Sequence, residues 1–312
     1  PNQVDIDYSK TKENIRNEIT QGVEEEAGRI TTRKNQLYED LPDGIEPNQQ
    51  MIDNSLSEIP LPSSLVEKFD QVRGDYKKLR TFATNDLEKE IQNYRGAGKW
   101  GEADELRRLQ RSLVDDQLDY VAKAARASDG KFRAKHPEMA EKVETANTYM
   151  KETAGPLLRD NEPVSEIIDN RRYKGKDTAT QRNRTIIEST INDRDRNIDI
   201  EKIGTLLGND RKKLADYHKA DVARLIKQRF IDRKGKLTSE DITALQGEFD
   251  KRIPGLTTGD PNSVKELNEF FTLIKDKNFN KESAMKILTD LETKGKEIEE
   301  SVYDGALKDY FA

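Results

Sequence analysis

Cysteine is absent from the 312 residues, so disulfides, thiolate metal sites and cysteine nucleophiles are excluded, and the absence fits a reducing compartment. Histidine is almost absent too. The two present, His136 and His218, lie in separate segments, which excludes a multi-histidine metal site and argues against a Ser-His-Asp triad. Aromatic residues make up 6% of the chain, with one tryptophan, Trp100. No apolar run approaches the roughly 20 residues that a bilayer span requires. Leu, Ile, Val and Phe number 25, 23, 11 and 9, about 22% of the chain, just above the roughly 20% below which chains tend to stay disordered. What is abundant is charge. Asp, Glu, Lys and Arg make up 37% of residues, against about a quarter in an ordinary soluble domain, yet the net charge is only −6. This balance predicts a folded, elongated, all-α protein with a thin core. The start, Pro1-Asn2-Gln3, is neither basic nor apolar and reads as a cut, so the chain is expected to be a processed product or a fragment of something longer.

Proline maps the organisation. The ten prolines leave 63–136, 164–253 and 262–312 free of it, as long helices require, because an interior proline costs about 3 kcal/mol. Within the first block Leu65, Phe69, Val72, Tyr76 and Leu79 form a heptad seam that slips near Phe82 and resumes through Leu87, Ile91 and Tyr94. Leu106, Leu109 and Leu113, then Tyr120 and Ala124, form another stripe; Ile15, Ile19, Val23, Ala27, Ile30, Leu37 and Leu41 form the earliest. The expectation is a coiled-coil-like three-helix bundle over 1–130, followed by an irregular multi-helix domain over 131–312. In the latter Gly155-Pro156 is read as a break. Gly208 is read as a helix C-cap with Asn209 or Asp210 capping the next helix, and Thr238 with Asp241 as a capping box. Asn262 or Ser263 is expected to cap a helix burying Leu267, Phe270, Phe271 and Ile274. A last helix from about Lys281 would bury Ile287, Leu291, Ile298 and Val302. Nothing alternates with period two, so no sheet is expected.

Motifs with chemical meaning mostly dissolve on inspection. Gly96-Ala97-Gly98-Lys99-Trp100-Gly101 spells G-x-G-x-x-G, but a helical seam precedes it where a dinucleotide site needs a strand. It reads as a turn between helices, with Trp100 packed at the bundle end. In 232–241, aligning Gly235 with the glycine of a calcium loop puts Phe230 and Lys234 at ligand positions, so calcium is excluded. Glu188-Ser189, Glu282-Ser283 and Glu300-Ser301 lack the downstream signature of lysozyme-like transglycosylases. His218, beside Tyr217, reads as partly exposed. No catalytic, metal-ligating or cofactor-binding residue is expected. The charge distribution says more: residues 171–236 hold 19 basic and 10 acidic side chains, a net +9, whereas residues 1–70 hold 7 and 15. Arg171, Arg172, Lys174, Lys176, Arg182 and Arg184 are the candidate contacts for phosphates or for an acidic partner. The same basic stretch could instead dock on the acidic ends of this chain.

The run Tyr149-Met150-Lys151, Pro156-Leu157-Leu158-Arg159-Asp160, Val164 and Ile167-Ile168 is followed by Leu206-Leu207-Gly208, Gly235-Lys236-Leu237-Thr238 and Ile253-Pro254-Gly255-Leu256. Over about 143–275 this resembles the large internal virion proteins of tailed bacteriophages. The resemblance implies a helical structural module packaged in the phage head and ejected with the DNA. It also implies virion localisation, the host cytoplasm during assembly, and other virion proteins or further copies as partners, with DNA contact a further option. It carries over no catalytic residue. The alternatives are a nucleic-acid-binding module using 171–236, a tail tape-measure segment, and a piece of an enzyme whose active site lies elsewhere.

Overall fold

A computed structural model describes residues 8–127, 137–173, 176–232 and 238–275. They are all-α: among the described residues there is no strand. The last helix, expected from about Lys281, and residues 128–136, where the sequence divides into 1–130 and 131–312, lie outside the described set. The chain groups into two compact units. One, the inserted unit, is 30–155; the other, the discontinuous unit, combines 1–29 with 156–312. Helix α1 (Tyr8–Glu39) serves both, because its stripe changes partners along its length. Ile15 packs on the core of the discontinuous unit, whereas Tyr38 lies over Arg80 in the inserted unit, with its ring 4.2 Å from the guanidinium.

In the inserted unit the long connection 42–62 folds into α2 (Gln49–Glu58), which buries Ile52 completely. Asn48 caps it by accepting from Met51 N (3.1 Å), and the buried Gln117 side chain clamps the Asn48 peptide through its N–H (2.7 Å) and carbonyl (3.3 Å). Next come α3 (Ser63–Val72) and α4 (Tyr76–Phe82), where the sequence implies one helix. The seam is buried as expected, but the helix breaks at Asp75. Its carboxylate caps Lys78 N (3.0 Å) and accepts the Gly44 N–H (3.0 Å), which draws the 42–48 loop onto the break. Burial alone would raise this carboxyl; those two backbone donors outweigh it and hold it below the usual range.

The slip of the seam has a structural counterpart. A π-helical segment, Ala83–Leu87, joins α4 to α5 (Glu88–Gly96), and a second, Ser112–Asp116, joins α6 (Trp100–Arg111) to α7 (Gln117–Ala127). Phe82 to Leu87 and Leu113 to Leu118 are both steps of five residues. A five-residue step would carry an α-helix off its stripe; a π turn absorbs the extra residue. The second π turn also corrects the expected face: Leu118, Val121 and Ala122 are buried, while Tyr120 and Ala124 are exposed. Carbonyls in the two π segments take side-chain donors from across the hairpin. Tyr76 Oη donates to Val114 O (3.0 Å) and Gln110 Nε2 to Ala83 O (2.7 Å). The glycine-rich motif is the α5–α6 turn, with Gly98 at φ +75°, as the seam implies. Trp100 does not pack at the bundle end; it is 62% exposed, because the turn points it away from the stripe.

After α8 (Pro137–Tyr149) the chain continues through Pro156 as a third π segment, Met150–Arg159, where a break is expected. The wider π turn relieves the clash between the proline ring and the carbonyl four residues back, and proline has no N–H to leave unpaired. The discontinuous unit then comprises α9 (Glu162–Tyr173), α10 (Lys176–Ile191), α11 (Asn197–Leu207), a 3-10 turn (Gly208–Arg211), α12 (Lys212–Asp232), α13 (Ser239–Asp250), α14 (Ile253–Gly259) and α15 (Pro261–Lys275). Gly208 is the C-cap of α11 with φ +55°, and Thr238 with Asp241 forms a complete capping box. Neither Asn209 nor Asp210 caps α12, since the 3-10 turn intervenes. Helix α15 starts two or three residues earlier than a cap at Asn262 or Ser263 implies: Asp260 accepts from Asn262 N (3.1 Å) and Pro261 occupies the first position. Leu267, Phe270 and Phe271 are buried as expected; the Ile274 side chain lies outside the described set.

Candidate functional site

Helix α12 is the central element of the discontinuous unit. Leu214, Ala215, Tyr217, His218, Ala220, Asp221, Val222, Ala223 and Ile226 are all buried, so charged and titratable groups share its core surface with apolar ones. Helix α14 lies directly against it. A Cβ on Gly259 would stand 2.4 Å from Ala215 N, and one on Gly255 would stand 2.1 Å from His218 Nε2. Only glycine allows that approach.

Around this contact gathers a buried polar cluster. Asp221, 1% exposed, accepts from Arg252 Nη2 (2.6 Å) and Nε (2.9 Å) and from Arg224 Nη2 (3.0 Å), and pairs with Lys12 Nζ (2.9 Å). Beside it Glu188 accepts from Arg16 Nη1 (2.8 Å) and from the Tyr217 hydroxyl (3.1 Å), which itself accepts from Asn192 Nδ2 (3.2 Å). Lys12 bridges the two carboxylates: its Nζ is 3.7 Å from Glu188 and 5.0 Å from the Tyr217 ring centroid. Burial would raise the Asp221 carboxyl, but the Lys12 and Arg252 charges prevail and hold it well below the carboxylate range; Glu188 is lowered by Arg16 and Lys12 in the same way. Burial pushes the Tyr217 hydroxyl up, so it stays a donor.

His218 is the exception within the cluster. It is 0% exposed, not partly exposed, because Gly255 seats α14 on its ring. Neither ring nitrogen has a hydrogen-bond partner; the Ile191 backbone faces the ring without meeting hydrogen-bond geometry. Burial, then the Arg252 charge, pushes its pKa down to about 3, so the imidazole is neutral. Chemically, the cluster ties α1, α10, α12 and the α13–α14 link together through charge. Among the described residues no group of three or more His, Asp or Glu side chains is placed to hold a metal ion. Surface cavities lie elsewhere. One of about 670 Å³ runs along the outer face of α15 past Val264 and Asn268, and one of about 270 Å³ lies between α1 and α8 over Leu37.

Of the basic residues singled out by sequence, only Arg182 and Arg184 have described side chains. Arg171 and Arg172 sit in the last turn of α9 and Lys176 begins α10, with side chains outside the described set; Lys174 lies outside it altogether. Arg182 is exposed on α10 and Arg184 half-buried. Further along the stretch, several cations are engaged with acidic groups of the same unit. Lys213 pairs with Glu18 (3.2 Å), Lys219 with Glu266 (3.4 Å) and Arg229 with Asp241 (3.8 Å). Sequence reasoning missed Lys12, Arg16, Asp221 and Arg252. One signal was available: Leu214, His218, Asp221 and Leu225 follow the helical stripe, which puts a carboxylate at an apolar position.

No protein-family model matches the chain, no curated protein matches its sequence, and no solved structure matches its fold. Among the described residues no helix is long and apolar enough to cross a membrane.

Proposed function

We propose that the chain is a non-enzymatic structural module of an internal virion protein of a tailed bacteriophage, packaged with the genome and released with it. The observation that carries this reading is the use made of the strongly perturbed carboxylates. Glu88 binds α5 to Arg107 of α6; Asp119 binds α7 to Lys151 of the following π segment (its pKa held at about 2); Asp221 binds α12 to Lys12 of α1 and to Arg252. Each is spent on joining helices, as befits a scaffold, whereas a general acid or base needs a carboxyl poised near the working pH. The segment that resembles internal virion proteins contributes buried packing residues, Leu158, Val164, Leu206 and Leu256 among them, in keeping with a structural role. Antibodies raised against the chain test this on purified particles of the phage that encodes it. The chain is expected in intact particles and is expected to be lost when DNA release is triggered. Recovery only from infected-cell extract, and never from particles, overturns the reading.

The second reading is a nucleic-acid-binding module. It rests on the net +9 of residues 171–236 and on the exposure of Arg182, Arg211 and Lys212. Retardation of DNA in a mobility-shift assay that weakens steeply with salt would favour it, and no retardation at low salt removes it.

A further inference from the structure

Histidine is the side chain whose charge ordinarily changes just below neutral pH. Buried imidazoles usually donate one N–H and accept with the other nitrogen. His218 does neither, although it is 0% exposed, and the backbone of α14 at Gly255 closes over its Nε2 edge. Its other flank is the Tyr217 ring, edge-on at 5.2 Å between centroids. We propose that His218 is an acid-operated latch: taking up a proton there releases α14 from α12 and opens the discontinuous unit, while the inserted unit stays closed.

The surroundings make the protonated ring intolerable in place. Lys12 and Arg16 face the cluster from α1, Glu188 from α10 and Asn192 from just after it, Tyr217, Asp221 and Arg224 from α12, and Glu248 and Arg252 from the end of α13 and the link to α14. Asp221 is the carboxylate that would favour an imidazolium, and it is already shared among Lys12, Arg224 and Arg252. A proton on His218 adds a further cation and two buried N–H donors, and only the Ile191 backbone, outside hydrogen-bond geometry, faces them. Lifting the seven-residue α14 at its glycine contacts lets water reach both nitrogens and separates the ring from Arg252.

The sign follows from linkage. The closed state keeps the ring neutral down to about pH 3, whereas an opened, hydrated ring takes a proton near pH 6.5. The closed state is therefore fully favoured above pH 6.5 and loses ground as pH falls below it, by about tenfold per unit, giving about 30-fold more opening at pH 5 than at pH 8. Asp221, Glu188 and Glu248 are all held below the ordinary carboxylate range, so they stay charged through this window.

Hydrogen exchange on the full chain, corrected for the intrinsic pH dependence of exchange, tests the latch at pH 8, 6.5 and 5. Opening in peptides from α12 and α14 should rise about 30-fold by pH 5, with α4 to α7 unchanged, and His218→Gln and His218→Phe should each abolish the rise. Histidine-labelled NMR of the unaltered chain gives a readout that needs no variant at 218, and His136→Gln assigns the two histidine signals. Titration of His218 near pH 6.5 in the folded chain overturns the proposal. So does exchange in α12 and α14 that ignores pH or keeps its pH dependence in either variant.

Discussion

Glu88 in the inserted unit and Asp221 in the discontinuous unit are both almost wholly buried, at 3% and 1% exposure, and differ in what surrounds them. Glu88 meets the cation Arg107 and the neutral amides Gln92 Nε2 (2.9 Å) and Gln110 Nε2 (2.9 Å). All three lie within about two dozen residues of it in sequence, on α5 and α6. Asp221 meets three cations, drawn from α1, α12 and the α13–α14 link. The first site is balanced and local; the second holds surplus positive charge assembled from distant parts of the chain. Removing a buried carboxylate therefore does different damage in the two places. At Glu88 it frees Arg107; at Asp221 it removes the one carboxylate shared by three cations, leaving Lys12 to Glu188 and Arg252 to Glu248.

The largest expected effect is at the second site. Asp221→Asn should destabilise the discontinuous unit by about 4 kcal/mol, since it removes the buried carboxylate that Lys12, Arg224 and Arg252 share. Loss of exchange protection in α12 measures it, and a change under about 1 kcal/mol would erase the contrast drawn here. Arg107→Ala strands one buried carboxylate and should cost the inserted unit about 3 kcal/mol, read from protection in α5 and α6.

Acid separates the units without mutation. Burial would raise Glu88, but Arg107, Gln92 and Gln110 bring it down to about 2 from 4.5. Its contribution of about 3 kcal/mol is thus fully present above pH 4.5 and lost as pH falls toward 2. Urea midpoints for the inserted unit should hold from pH 8 to 5 and then drop, whereas the discontinuous unit weakens earlier. Simultaneous loss in both units would contradict the separate origins assigned to them.

Smaller effects sharpen the picture. Thr238→Ala removes half of the capping box on α13 and should cost about 1 kcal/mol, visible as earlier melting of that helix alone. Trp100→Ala, on an exposed side chain, should stay within about 0.5 kcal/mol of the parent in urea titration.

Sequence pattern exposed the apolar half of this structure more readily than the polar half. The slip at Phe82 is visible because a five-residue step breaks a regular stripe, and it coincides with a π turn. Thr238 and Asp241 are legible because a capping box is local. The break at Asp75 was hidden by a seam that runs through it unbroken; what decides it is a hydrogen bond to Gly44, far back in the chain. His218 was misjudged for a similar reason, since its burial depends on Gly255, a residue in another helix. Lys12 looks like any other exposed lysine among 54 basic residues until α1 is set beside α12.

The pairing of Lys12 with Asp221 also sets an order of events at the ribosome. Residues 8–29 leave it ahead of the rest of their unit, carrying Lys12 and Ile15, yet their partners on α12 follow roughly 200 residues later, about 10–40 s at ordinary rates of synthesis. The inserted unit has all of its own residues by position 155 and is free to fold during that interval. The opening stretch of α1 meanwhile waits with its apolar side uncovered, and a chaperone that holds nascent chains would find it there.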